Sequence, residues 1–153
     1  FNQQGEKAEA DFKIALQHTS DARIRPAILA AMGGNRETNL KDEAAALEAY
    51  RQNYEGRERV GAAEELRSVQ SAAAILARQG KVDEALTTLK IAGADQQKGF
   101  WRHSTLMVQG DILSSAGRKK EAAEAYLAVL QDGDVQAAVR AKAEQALKAL
   151  EGG

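Results

Sequence analysis

Apolar residues recur three and four positions apart over most of the chain, the period of a helix with one face against a core. Leu66, Val69, Ala73 and Leu76 form one such run, which stops at Gly80. Glycine is the residue that most readily takes the left-handed geometry of a helix end. A second run, Val82, Ala85, Leu86 and Leu89, ends near Gly93. Leu106, Gly110 and Leu113 then lead to Gly117, and Ala122, Tyr126 and Val129 lead to Gly133. Turns this short predict antiparallel helix pairs. Upstream, Ala8, Phe12, Ala15 and Leu16 have the spacing of a single helix, and Ala27-Ile28-Leu29-Ala30 before Gly33 predicts another. The partner of the latter is expected near Asp42, with Ala46 and Tyr50 on one face. Pro26 means that this helix starts late or kinks. At the far end, Val135, Ala138, Val139, Ala143, Ala146, Leu147 and Leu150 make a stripe opposite Lys, Arg, Glu and Gln. That stretch reads as a terminal helix with one polar face and Asp134 as its N-cap.

The runs repeat. Displaced by 37 positions, the interval from Gly80 to Gly117, Ile75-Leu76 falls on Ile112-Leu113 and Glu84-Ala85 falls on Glu121-Ala122. Ala73 meets Gly110, and Leu89 meets Tyr126. A small residue, a turn glycine, an alanine and then a large apolar residue four later resemble the tetratricopeptide repeat, a unit of about 34 residues. In the positions of that family, Ala73 and Gly110 are the small residue, and Gly80 and Gly117 are the turn glycine. Ala85 and Ala122 open the second helix, and Leu89 and Tyr126 follow. Val69 and Leu106 stand where the family has tryptophan, and the closing proline is missing from both units. The resemblance implies an all-α, right-handed superhelical solenoid of antiparallel helix pairs, about seven or eight helices long. Residues 1–18 would be the second helix of a truncated repeat and 20–54 an irregular pair. Residues 57–93 and 99–133 would be full repeats, and 134–150 a capping helix. Aligning Gly33 on Gly80 makes 34–41 an inserted loop in the irregular pair.

Composition agrees with helix and removes several chemistries. The 153 residues hold one proline, few aromatics (5%) and no cysteine, which excludes disulfides, thiol catalysis and thiolate metal sites. A cysteine-free chain suits cytoplasm or periplasm equally, and the alanine-rich composition suggests a bacterial source. A chain that begins at Phe1 is expected to be a piece of a longer protein. The net charge of −1 gives no basic surface for nucleic acid. Arg118-Lys119-Lys120 is the nearest basic run, and Glu121 follows it. No apolar stretch reaches the roughly 20 residues a membrane span needs. The two histidines, His18 and His103, lack metal spacing, and Asp132-Gly133-Asp134 reads as a turn and a cap, not a calcium loop. Phosphate loop, dinucleotide fingerprint and nucleophile elbow are all missing. The expectation is therefore a non-enzyme with no cofactor and no metal.

The tetratricopeptide resemblance implies a concave wall lined by the first helix of each pair. Its inward positions would be Arg67, Gln70, Ser71, Ala74 and Arg78 on one helix and Ser104, Met107, Val108, Asp111 and Ser114 on the next. Such a wall would receive an extended peptide or a helix of a partner protein, and Arg67 and Arg78 could meet an acidic one. The Lys and Asn clamp with which some members hold a carboxylate terminus is missing from these positions, so that activity is not implied. Trp101, beside Phe100 at a helix start, is a further partner contact or a packing anchor. The alternative is a spacer or self-association domain, forming homo-oligomers within a larger, membrane-anchored envelope protein.

Overall fold

The computed structural model describes residues 2–152, and among them it contains eight α-helices and no strand. They are α1 (Gln3–His18), α2 (Arg25–Thr38), α3 (Glu43–Arg51), α4 (Ala63–Arg78), α5 (Val82–Lys90), α6 (Gly99–Ser115), α7 (Lys119–Gln131) and α8 (Ala137–Glu151).

Local signals set several of these boundaries. Asn2 starts α1 by accepting a hydrogen bond from the Gly5 N–H at 3.0 Å, and Asp42 starts α3 by accepting from Ala45 at 2.9 Å. Each side-chain oxygen satisfies one backbone donor that has no partner inside its helix. Pro26 lies in the first turn of α2, where no N–H is needed, so the helix starts late and is not kinked there. Gly80 (φ 79°) and Gly117 (φ 77°) end α4 and α6 in the left-handed region. The following N–H of Lys81 donates back to Leu76, and that of Arg118 to Leu113, both at 2.9 Å.

Two expectations need correction. Helix α2 does not stop at Gly33; it continues through Gly34 to Thr38. The expected inserted loop 34–41 shrinks to a short turn, with Lys41 (φ 56°) in the left-handed position. Gly33 is a crossing point and not a helix end. A Cβ there would stand 2.4 Å from the Tyr50 ring, as one at Gly110 would stand 2.4 Å from the Tyr126 ring. The working register therefore places Gly33 with Ala73 and Gly110, and Tyr50 with Leu89 and Tyr126, instead of Gly33 with Gly80. The displacement is 40 in the first helix (33 to 73) and 39 in the second (50 to 89), because the α2–α3 turn is one residue longer. The second correction concerns α8, which starts at Ala137 after Gln136, so Asp134 is not its N-cap and Val135 precedes the helix.

Packing follows chain order. Helix α1 lies on α2, and α2 with α3, α4 with α5 and α6 with α7 are the closest pairs. First helices also touch first helices, α2 on α4 and α4 on α6, while α8 covers α7 and α6. One buried cluster runs from Ala46 and Tyr50 through Leu66, Val69 and Leu76 to Ile112. The other joins Leu106, Leu113, Tyr126 and Val129 to Ala143 of α8. Polar ties cross the layers. Arg36 spans Glu9 of α1 and the Ala45 carbonyl of α3, and Asn53 donates to the Pro26 carbonyl and the Ser68 hydroxyl, both at 2.9 Å. Among the described residues, no buried side-chain nitrogen or oxygen lacks a partner.

The tyrosines carry a pH consequence. Burial, and then the Glu37 carboxylate beside it, push the Tyr50 hydroxyl up to about 12. Burial also raises Tyr54, and burial followed by the bond to Asp111 raises Tyr126. A raised folded-state value means that the unfolded chain ionises first. Stability should thus be intact below the ordinary tyrosine value of about 10 and decline as pH rises from there to about 12. Phenolate absorbance of the folded chain should stay low through the first part of that window. Normal ionisation of all three tyrosines near their ordinary value would contradict the packing.

Candidate functional site

Helices α4 and α6 border a groove of about 360 Å³. Ala74 and Ala77 of α4, Val82 of α5, and Val108, Ile112 and Ala116 at α6 make its walls, with Arg78 and Asp111 as its charged groups. The small side chains of α4 create the space, since a helix that presents alanine leaves room where leucine would fill it. Of the sequence-expected contacts, Ala74, Arg78, Val108 and Asp111 are brought together here.

The other expected contacts serve different ends. Gln70 donates from Nε2 to Ser104 Oγ and to Thr105 Oγ1, both at 2.9 Å, and so fastens α4 to α6. Ser71 is half-buried beside it. Met107 is half-buried against the C-terminal cluster. Trp101 packs against the first cluster, its ring centroid 5.1 Å from Phe100 in an edge-to-face arrangement, while Phe100 itself is 52% exposed. Arg67 remains exposed on the helix surface.

Both charges at the groove are engaged. Arg78 donates to Glu43 Oε1 through Nε (3.0 Å) and Nη2 (2.9 Å), and to Glu37 Oε1 through Nη2 (2.9 Å). The guanidinium of Arg78, helped by Gln79, holds the Glu43 carboxyl below its usual range. Asp111 accepts from the Tyr126 hydroxyl at 2.7 Å. An acidic peptide would have to displace two carboxylates to reach Arg78, so the groove offers apolar volume first and charge second.

Two further features were not expected. A larger cleft of about 640 Å³ opens between α5, α6 and α7, with Leu86, Leu106 and Leu113 among its walls. Arg118 on its rim pairs with Glu121 at 2.6 Å and Asp83 at 3.4 Å. The second feature is a convergence of His103, Asp132 and Asp134, the one such group of histidine and acidic side chains among the described residues. His103 on α6 is 1% exposed, and its Nε2 lies 2.9 Å from Asp132 Oδ2 and 3.6 Å from Asp134 Oδ1. Arg102 reaches the same Asp132 oxygen through Nε at 2.8 Å and the Ala94 carbonyl through Nη1 at 3.0 Å. The Arg102 guanidinium, and then His103, hold the Asp132 carboxyl below its usual range. Sequence spacing hid this group, because His103 and Asp132 stand at opposite ends of a helix pair. The signal was the antiparallel hairpin itself, which lays the start of α6 against the end of α7.

No helix among the described residues is long and apolar enough to cross a membrane. No family model, curated protein or solved structure matches the chain.

Proposed function

We propose that this chain is a tetratricopeptide-like array whose α4–α6 groove binds a segment of a partner protein by taking up an apolar side chain. The groove supports this reading most directly: alanine-walled space lies between two first helices, with Arg78 and Asp111 at its charged edge. The array reading is supported by three helix pairs that repeat one small-against-large crossing, Gly33 with Tyr50, Ala73 with Leu89 and Gly110 with Tyr126. It is supported further by the contacts of α2 with α4 and of α4 with α6, the neighbour-on-neighbour stacking expected of a repeat array. Recognition in such a groove gains most from one buried anchor in the partner, and the engaged charges at its edge favour an apolar one.

The reading is tested with a random peptide library displayed on phage and selected on the whole chain. Enriched sequences should share a large apolar residue, and Val108→Lys, which places a charge in the half-buried wall, should lose them. Val108 is not fully buried, so the variant should keep its far-ultraviolet helical signal. Peptides retained unchanged by Val108→Lys, or failure to enrich any apolar anchor, would sink the groove as the binding site.

A further inference from the structure

We infer that His103, Asp132 and Asp134 form a binding site for a divalent metal ion of the zinc class, joining the start of α6 to the turn between α7 and α8. This goes beyond the groove and does not depend on it. The donor atoms of the three side chains all lie within 4.8 Å of one another. Neighbouring ligands around a tetrahedral ion with bonds of about 2.1 Å are about 3.4 Å apart. The two distances from His103 Nε2, 2.9 Å to Asp132 and 3.6 Å to Asp134, straddle that separation. Seating an ion would spread His103 from Asp132 by about half an ångström and leave Asp134 almost where it stands relative to His103, while the two carboxylates, no more than 4.8 Å apart, close on it.

The donor types select the ion. One imidazole nitrogen with two carboxylate oxygens suits zinc and its borderline neighbours, whereas magnesium and calcium prefer all-oxygen sets. Three protein ligands leave a fourth position for water. Solvent can reach it, because Asp134 is exposed and borders an open cleft of about 490 Å³ that Asp132 also lines.

The surroundings are built for holding the ligands in place. His103 is buried within α6, so packing already restricts its ring before binding. Arg102 grips Asp132 and is itself held by the Ala94 carbonyl, the outer partner that a ligating carboxylate normally has. Arg102 also offsets one of the two negative charges, so the site attracts a dication through a single net charge and its geometry must supply the rest. Binding replaces the hydrogen bond that His103 Nε2 donates to the Asp132 carboxylate by two metal–ligand bonds, and the proton that Nε2 gives up passes to Nδ1 through solvent exchange.

The experiment is calorimetric titration of the whole chain with zinc chloride, with cobalt chloride as an optical probe of coordination. One zinc per chain is expected, with cobalt absorption of tetrahedral or five-coordinate intensity. Asp134 is exposed and its side-chain tie is the 3.6 Å approach to His103, so Asp134→Asn should fold normally. It should lose at least the roughly tenfold in affinity that removal of an outer partner costs. His103→Gln should abolish stoichiometric binding. Asp95→Asn, in the same cleft but outside the group, should leave it unchanged. Failure of the unaltered chain to take up zinc, or equal affinity in Asp134→Asn, overturns the site.

Discussion

Gly110→Ala should lower the stability of the chain by about 1–3 kcal/mol, the usual cost of forcing extra volume into a packed core. The sign is the informative part. In an unconstrained helix interior the same change would stabilise by roughly 0.5–1 kcal/mol, because alanine loses less backbone freedom than glycine. At this crossing a Cβ would sit 2.4 Å from Tyr126 Cε1, 2.7 Å from Cζ and 2.8 Å from Cδ1. Those atoms are the body of a ring that is 2% exposed and whose hydroxyl is tied to Asp111, so the ring cannot swing away without losing packing and a hydrogen bond. The middle unit indicates the remedy, since Ala73 and Leu89 occupy the same two places. Tyr126→Leu alone should also destabilise, by opening space beside Gly110. Combined with Gly110→Ala it should recover part of both losses, a favourable coupling of about 1–3 kcal/mol in a double-mutant cycle. Urea unfolding of the four proteins measures it. A stabilised Gly110→Ala, or strict additivity, would mean that the crossing is not where the structure places it.

That crossing also shows why parts of the fold could be read from the residues and parts could not. From Leu66 to Val129 the period, the turn glycines and the displaced pairs agreed, because the core positions there are filled by apolar or small residues, with His103 in the place of Leu66 as the exception. In the first unit the equivalent positions are disguised. In the working register Arg36 takes the place of Leu76 and Leu113, and Asn53 takes that of Ala92 and Val129. With two polar residues at core positions, and Lys41 where the other units have a turn glycine, Gly33 became the nearest match to Gly80 and the register slipped. The groove was half legible for a related reason. Ala74, Val108 and Asp111 follow from helical spacing, but the commitment of Arg78 to Glu37 and Glu43 joins three helices. No periodicity within one helix reports such a pairing. The convergence of His103 on Asp132 is likewise a property of the hairpin.

Arg36→Ala should be the more damaging change, at about 3 kcal/mol, the lower end of what breaking a buried ion pair costs. Arg36 donates to Glu9 Oε1 from Nε at 3.0 Å and from Nη2 at 2.7 Å, and to the Ala45 carbonyl from Nη1 at 2.8 Å. The two side chains are only 12% and 14% exposed, so solvent screens them little. Removing Arg36 leaves the Glu9 carboxylate, 14% exposed, with only the exposed Lys13 ammonium 3.7 Å away, and cuts the polar tie that joins α1 and α3 through α2. Against a typical stability of about 5–15 kcal/mol, the N-terminal helices should fray well before the rest in hydrogen exchange. The pair itself need not be a net gain. Leu76 and Leu113 fill the equivalent position elsewhere in this chain, and well-packed apolar replacements of buried ion pairs are often neutral or stabilising. Arg36→Leu combined with Glu9→Leu should therefore unfold close to the unaltered chain, while either single change costs most of the full loss. If Arg36→Leu alone proves neutral, Glu9 reaches solvent and the tie between α1 and α2 is weaker than its geometry indicates. If the double variant is as unstable as the single ones, the Ala45 carbonyl is the essential partner, and Arg36 acts by closing the α2–α3 turn more than by holding α1.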